Sequence, residues 1–287
     1  MNIREMYESG AMTKEGAYEC LKLLFDGYKS RKRKKELYRN NDPIPRIIIE
    51  TYYYFVDDPR FDIIFEKFKR KYIINENNLE QVHEPKERQG LGVVYDYIHS
   101  YIPSSNLNLF IILKLHQLLF SKVDYPEFGG KFRTDTAYLT GGSGVETCSP
   151  NNISSEITKL YLESLPLFKK GLEIGQNWDF DQLIPYINEC IKLNVELIHI
   201  HPFPDGNGRT SRALTNLMFK LVDIPPVYVK ASEREEYITA MNKAIIEKKY
   251  DDIITFYYYK ICDSIVDLDN TNKKENVSNQ KTLTKKK

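Results

Sequence analysis

The chain has 287 residues, which is enough for one large domain or two modest ones with a sizeable core. Its 41 basic and 40 acidic side chains nearly cancel, and this excludes the strongly basic balance of a typical nucleic-acid-binding domain. The four cysteines lie far apart, with neither the spacing of a zinc site nor a disulfide pattern. We see no signal peptide and no apolar run of ~20 residues, so we expect a cytoplasmic protein that binds neither membrane nor nucleic acid.

Helical periodicity dominates from the first residues onward and predicts an all-α fold. We interpret residues 1–90 as a helical N-terminal extension, which contains a basic cluster at 29–35. Within it, Asp58 and Pro59 are typical of the first positions of a helix. A buried helix is expected at 109–120, because this segment is apolar almost all round.

One segment departs from the helical pattern. Residues 136–147, TAYLTGGSGVET, are two short β-prone runs around Gly141, Gly142 and Gly144. This pattern predicts a β-hairpin with a glycine-rich turn. An isolated hairpin is marginally stable, so we expect it to pack on helices.

Three more helices are predicted towards the C-terminus. Residues 181–200 carry a stripe of Ile184, Ile187, Ile191, Val195 and Ile198 at steps of three or four. The sequence SERE at 232–235 has the pattern of a capping box and begins a helix that runs to about 248. A further helix covers roughly 251–266, and the polar residues 267–287 are expected to form a disordered tail.

The segment HPFPDGNGRTSR, residues 201–212, carries the chemistry: it follows the helix at 181–200 and leads into a second helix that starts with GRTSRALTNLMFKLV. Its glycines allow close approach to the N-terminus of the second helix, where unpaired backbone N–H groups and the helix dipole favour an anion. Arg209 and Arg212 are three apart and share a face beside this turn. Together these features match a polyphosphate.

Two other side chains of the segment complete the chemistry. Asp205 suits Mg²⁺, which takes few protein carboxylates and completes its shell with substrate phosphates. His201 suits the removal of a proton from an attacking hydroxyl. The residues therefore predict a nucleoside triphosphate, Mg²⁺ and a base, without the Walker P-loop sequence.

This segment resembles the H-x-F-x-[D/E]-G-N-G-R-x-x-R motif of the Fic (Fido) family at every fixed position. The similarity extends over about 107–261: GGKFRTDTAYLTGG resembles the family's G-x-[YF]-R segment and flap, and EEYITAMNKA resembles its helix beside the adenine pocket. The resemblance implies a Fic-type helical core with one β-hairpin flap. It also implies a protein adenylyltransferase that moves AMP from ATP to a Ser, Thr or Tyr hydroxyl of a protein. Gly208 sets the motif apart from the Doc branch of the family.

The resemblance implies a role for each matching position. His201 is the general base, Phe203 anchors the loop in the core, Asp205 is the Mg²⁺ ligand, and Tyr237 borders the adenine. The ATP phosphates are expected to contact Asp205, Gly206, Asn207, Gly208, Arg209, Thr210 and Arg212, with Asn207 on the α-phosphate and the arginines on the β- and γ-phosphates. The flap, which clamps the target peptide and covers the nucleotide, comprises Ala137, Tyr138, Leu139, Thr140 and Gly141.

Many Fic proteins carry an inhibitory helix, [S/T]-x-x-x-E-[G/N], whose glutamate pairs with the second arginine of the motif and blocks the γ-phosphate. A helix near 74–82 places Glu80 at a similar position, although Glu76 stands where Ser or Thr is expected and Gln81 where Gly or Asn is expected. Glu275 in the tail fits the pattern literally. We expect Glu80 to inhibit, with Glu275 or no intact inhibitory helix as alternatives.

Two other functions stay open at this stage. A Fic-fold transferase could use another nucleotide donor, such as UTP, or the chain could be a non-catalytic nucleotide-binding interaction protein. Transfer from labelled ATP, UTP and GTP separates them. The sequence does not identify the target protein, and it leaves self-modification and a homodimer open.

Overall fold

A computed structural model of the chain describes residues 60–139, 145–176 and 180–265, with scattered positions between 6 and 27 and position 49. The chain divides into two compact units, residues 1–70 with 258–287, and residues 71–257. The second unit contains the HPFPDGNGRTSR segment. The basic cluster, Asp58, Pro59, Thr140, Gly141 and the tail with Glu275 all lie outside the described residues.

Helices make up most of the described chain, in agreement with the all-α prediction. They are α1 (Arg60–Leu79), α2 (Pro85–His99), α3 (Ile111–Leu119), α4 (Ile153–Gln176), α5 (Phe180–Ile200), α6 (Asn207–Lys220), α7 (Arg234–Glu247) and α8 (residues 251–265). Short 3₁₀ turns lie at Pro126–Phe128, Pro150–Asn152 and Ala231–Glu233. In the part of the chain that the structure describes, none of these helices has an apolar stretch long enough to cross a membrane.

Helix α5 is buried along the predicted stripe. Ile187, Ile191 and Val195 are fully buried and Ile198 is nearly so, whereas Ile184 is partly exposed. The helix packs between α4 and α6. This packing fixes its C-terminal end, where the histidine of the motif follows, against the N-terminal end of α6.

Helix α6 is buried although its sequence is largely polar. Its polar side chains find partners inside the core: Asn194 on α5 donates to the hydroxyls of Ser211 (2.7 Å) and Thr215 (3.1 Å). Asn216 binds both the N–H and the carbonyl of Val227 at 2.8 and 2.9 Å. These paired groups remove most of the cost of burying polar atoms, so α6 can form the centre of the unit.

Two local predictions need correction or completion. The capping box predicted at 232–235 is displaced, because the Glu233 carboxylate accepts the N–H of Lys230 at 3.1 Å and α7 begins at Arg234. In the predicted hairpin, Tyr138 and Glu146 form an isolated antiparallel bridge, while the turn at 140–144 lies outside the described residues. All four cysteines are free, in agreement with the spacing argument.

Candidate active site

The turn between α5 and α6 requires glycine at its last position. Gly206 caps the N-terminus of α6 with a left-handed φ of 72°. A Cβ atom there would lie 2.9 Å from side-chain atoms of both Leu119 and Phe120. Conformation and close packing therefore both exclude a larger residue, and the turn leads the chain directly into the first N–H groups of α6.

Phe203 anchors this turn, in the place where the resemblance puts it. The ring is 1% exposed and stacks on the His116 ring with centroids 3.9 Å apart. The Asn207 side chain accepts the N–H of Phe203 at 2.8 Å and donates to its carbonyl at 2.7 Å. Both ends of the Asn207 amide are thus used inside the loop. Its backbone N–H is at the first position of α6, where it has no partner within the helix.

His116 fixes the backbone of the turn, a role that sequence reasoning missed. Its Nδ1 accepts the N–H of Gly130 at 2.8 Å, so Nε2 carries the proton and donates to the Asp205 carbonyl at 2.9 Å. Burial lowers the pKa of His116 to about 4, so the ring is neutral near pH 7. A neutral imidazole is required here, because only that form both accepts and donates.

One pocket brings together residues from four predicted parts of the site. Its lining includes Glu80, Leu139, His201, Gly208, Arg212 and Tyr237. The predicted inhibitory glutamate, the flap, the catalytic motif and the adenine helix therefore meet at one place. Tyr138, in contrast, has 62% of its surface exposed, and Ala137 accepts a hydrogen bond from the Thr147 hydroxyl through its carbonyl at 2.6 Å.

His201 is held in an unusual backbone conformation directly after α5. Its φ is 53°, which is uncommon for a residue with a side chain. Its Nδ1 lies 3.3 Å from the carbonyl of Ile198, so Nδ1 carries the proton and Nε2 keeps its lone pair. Burial, with a contribution from the Arg133 charge, lowers the pKa of His201 below its ordinary value. The ring is therefore able to accept a proton at neutral pH.

Arg212 is held by two carboxylates, one on α1 and one on the residue directly after α1. Its Nε donates to Glu76 and its second terminal nitrogen to Glu80, both at 2.6 Å. Glu76 is fully buried and also accepts the N–H of Val229 at 3.0 Å. Burial opposes the charge on Arg212, but the two carboxylates keep its pKa well above the ordinary value. The guanidinium lies 5.6 Å from the centroid of the Tyr237 ring.

Glu80 occupies the space beside the third glycine of the motif. A Cβ atom on Gly208 would lie 2.1 Å from Oε1 of Glu80, so this carboxylate rests against the glycine backbone. Burial favours the neutral acid, but Arg212, with Arg209 and Arg234, holds the pKa of Glu80 below its ordinary value. Gly208 has no side chain, which leaves room beside the first turn of α6. In this structure an anionic side chain fills that room.

Arg209 is placed differently from Arg212. It is 1% exposed and forms an ion pair with Glu87, which sequence reasoning did not predict, and it lies 3.5 Å from Asp205. Among the described residues, its Nε and Nη1 have no hydrogen-bond partner. Buried guanidinium nitrogens without partners are costly, so they fit an anion that binds beside them.

Asp205 fits the predicted metal site as a single carboxylate. Its side chain is 63% exposed, and it accepts the N–H of Gly206 at 2.6 Å. No group of three or more His, Cys, Asp or Glu side chains suited to a metal ion occurs within the described ranges. Mg²⁺ at Asp205 stays a prediction. Thr210 is buried, and its N–H donates to the Gly206 carbonyl at 2.9 Å in the first turn of α6.

Comparisons with known proteins agree with this geometry. Residues 106–219 match the Fic/DOC family. Over 163 residues the chain is 29% identical to the Protein adenylyltransferase Fic of Drosophila melanogaster and to that of Drosophila virilis. The match covers 55% of this chain but only 29% of the length of the Drosophila melanogaster protein. The chain therefore contains a Fic/DOC-family segment at residues 106–219, which includes the HPFPDGNGRTSR motif.

Solved structures show the same fold. A Fic-domain-containing signalling protein from Bacteroides thetaiotaomicron superposes with a TM-score of 0.60 at 17% identity, over 76% of this chain and 93% of that one. Fic-1 from C. elegans superposes with a TM-score of 0.58 at 17% identity, over 95% of this chain and 99% of that one. The helical architecture is therefore that of Fic proteins.

Proposed function

We propose that this chain is a magnesium-dependent protein adenylyltransferase that uses ATP and is held inactive by Glu80. The observation that carries the proposal is the pocket in which His201, Gly208 and Arg212 lie together while a carboxylate fills the anion position. An acidic side chain that binds an arginine and lies beside a helix N-terminus stands in for a phosphate group.

The reaction follows from the protonation of His201. Its Nε2 accepts the proton of the target hydroxyl, whose oxygen attacks the α-phosphorus of ATP. A bond forms between this oxygen and phosphorus, the bond to pyrophosphate breaks, and the electron pair leaves with pyrophosphate. The first N–H groups of α6, including those of Asn207 and Gly208, stabilise the negative charge on the phosphate oxygens.

The remaining groups position the nucleotide. Arg209, through its unpartnered nitrogens, and Arg212, once Glu80 has left, bind the β- and γ-phosphates. Asp205 would hold Mg²⁺, which neutralises phosphate charge when bound. Tyr237 lies at the adenine end of the pocket, and the flap around Leu139 covers it. Residues 107–261 then form the catalytic domain, and the segment near 74–82 forms the inhibitory helix.

The decisive experiment measures transfer from labelled ATP, UTP and GTP onto the chain itself and onto lysate proteins. In a Glu80→Gly background we expect ATP to be used, and we expect His201→Ala to lower transfer about 10²–10⁴-fold, the usual worth of a general base. His199→Ala is the matched control. This half-exposed histidine lies two residues before His201, in the last turn of α5, and its ring is close to Glu196.

Three results would change the proposal. Transfer from UTP or GTP in place of ATP indicates another nucleotide donor. Nucleotide binding without transfer from any of the three indicates an interaction protein. A folded His201→Ala variant with the activity of its parent shows that another group is the base.

A further inference from the structure

Arg133 lies between the end of α5 and the base of the flap. Its side chain is nearly buried, with the residue 5% exposed. Nε donates to the His201 carbonyl at 2.6 Å and the backbone N–H donates to the Pro202 carbonyl at 2.9 Å. A terminal nitrogen also reaches the Ile200 carbonyl at 3.4 Å. One residue thus contacts three consecutive carbonyl groups around the candidate base.

The end of α5 needs such a partner. The last carbonyls of a helix have no intrahelical donor, and they carry the negative end of the helix dipole. His201, directly after the helix, also holds the left-handed φ of 53°, which persists only when surrounding contacts impose it. A buried guanidinium beside these carbonyls supplies both the donors and the charge.

The other edge of the guanidinium holds the flap. Nη1 donates to the Asp135 carbonyl at 2.6 Å, and Nη2 donates to the Thr147 hydroxyl at 3.0 Å and to the Cys148 carbonyl. The Thr147 hydroxyl in turn donates to the Ala137 carbonyl at 2.6 Å. Arg133 therefore contacts the residues on both sides of the antiparallel bridge.

We propose that Arg133 is a positioning residue that fixes the His201 imidazole relative to the flap, and therefore relative to the target hydroxyl that the flap presents. This inference rests on the proposed function. The planar, five-donor fork of arginine contacts both sides at once, which the single ammonium group of lysine cannot do. Arg133 touches no reacting atom, and it acts through the backbone of residues 200–202 and through the flap.

The test compares Arg133→Lys with Thr147→Val in the Glu80→Gly background. Arg133→Lys keeps the charge but loses the fork, whereas Thr147→Val removes the hydroxyl that accepts from Arg133 and donates to Ala137, both on the flap side. Ring ¹⁵N and ¹³C signals of His201 are recorded by NMR without nucleotide, and kcat and KM for ATP are measured from self-modification. Thermal unfolding confirms that each variant is folded.

Arg133→Lys is expected to shift the His201 ring signals and to lower kcat by about 10²-fold, the effect of a small displacement of a catalytic group, with KM for ATP unchanged. Thr147→Val is expected to lower kcat less and to leave the ring signals in place. Unchanged ring signals in folded Arg133→Lys overturn the proposal, whether or not the chain transfers AMP.

If Arg133→Lys does not fold, Thr147→Val decides. A lower kcat of Thr147→Val with unchanged KM for ATP supports the link between flap and base. If Thr147→Val has the same kcat and KM as the Glu80→Gly parent, the proposal is overturned. Because the ring signals need no nucleotide, failure of the adenylyltransferase proposal leaves the NMR result readable.

Discussion

At the scale of single residues, the site depends on which groups share the charge of Arg212. Glu76 and Glu80 are four apart, so they lie on one face of the helix and its C-terminal turn. Only Glu80 also rests against Gly208, where a phosphate is expected. Under the proposed function the two carboxylates differ: Glu80 would compete with the nucleotide, whereas the fully buried Glu76 holds Nε of the arginine.

We predict opposite effects for substitutions of these two glutamates. Glu80→Gly is expected to raise self-modification by roughly 5–30-fold if the ion pair makes the nucleotide-competent state ~1–2 kcal/mol less stable than the inhibited state. Glu76→Gln is expected to lower it, because the amide cannot accept from both Arg212 and Val229. Initial rates with labelled ATP, compared with those of the wild type, provide the measurement.

Glu275→Gly is the control that separates the sequence alternatives, since this residue lies in the predicted tail. Faster transfer in Glu275→Gly with no change in Glu80→Gly would place the inhibitory group in the tail. No change in either variant would mean that the chain has no inhibition of this kind.

The sequence predicted some of these residues and missed others for physical reasons. Glu80 was found from its resemblance to an inhibitory helix, which is a local pattern. Glu76 appeared only as a departure from that pattern, although its spacing from Glu80 was visible. Glu87 gave no local signal, and Arg133 appeared only as the arginine of the G-x-[YF]-R resemblance, without a role. Their partners at Arg209 and His201 are far away in the chain and become neighbours only after packing.

At the scale of elements, α3 and the turn before α6 act as one assembly. His116 joins them through Gly130 and the Asp205 carbonyl, and Phe203 stacks on its ring. The buried stripe of α5 was predictable because apolar periodicity is a local property. The burial of α6 was not predicted, because its polar residues are satisfied only by α5 and by the segment around Val227.

Stability is expected to fall in acid because His116 is buried in its neutral form. Its pKa is about 4 in the folded chain against an ordinary value of 6.5, so the unfolded chain binds more protons between these values. The free energy of unfolding therefore rises with pH from about 4 to about 6.5 and then levels, with a contribution of up to about 3 kcal/mol. Urea unfolding across this pH range measures it.

His116→Gln is expected to be less stable near neutral pH and to show a shallower rise, since the amide does not titrate. His83→Gln, which changes an exposed histidine, is the matched control and should keep the wild-type slope. An equal slope in the His116 variant would show that other groups, such as His201, carry the acid sensitivity.

At the scale of the whole molecule, the fold class was predictable and the state of the site was not. Helical periodicity and one twelve-residue motif were sufficient to predict a helical fold like that of Fic proteins. The motif alone describes a site ready for a polyphosphate. In the folded chain, Glu80 fills the space beside Gly208, and this depends on how the end of α1 packs beside α6 rather than on the motif.

This competition predicts how nucleotide stabilises the full chain. A ligand that binds only the folded state raises the melting temperature according to its affinity, and an ion pair that must first break lowers that affinity. If Glu80 costs ~1–2 kcal/mol, Mg²⁺ and ATP should raise the melting temperature of Glu80→Gly by roughly 2–8 °C more than that of the wild type. ADP, which lacks the γ-phosphate, should show a smaller difference between the two proteins. Equal shifts with ATP in both proteins would mean that Glu80 and the γ-phosphate do not compete for Arg212.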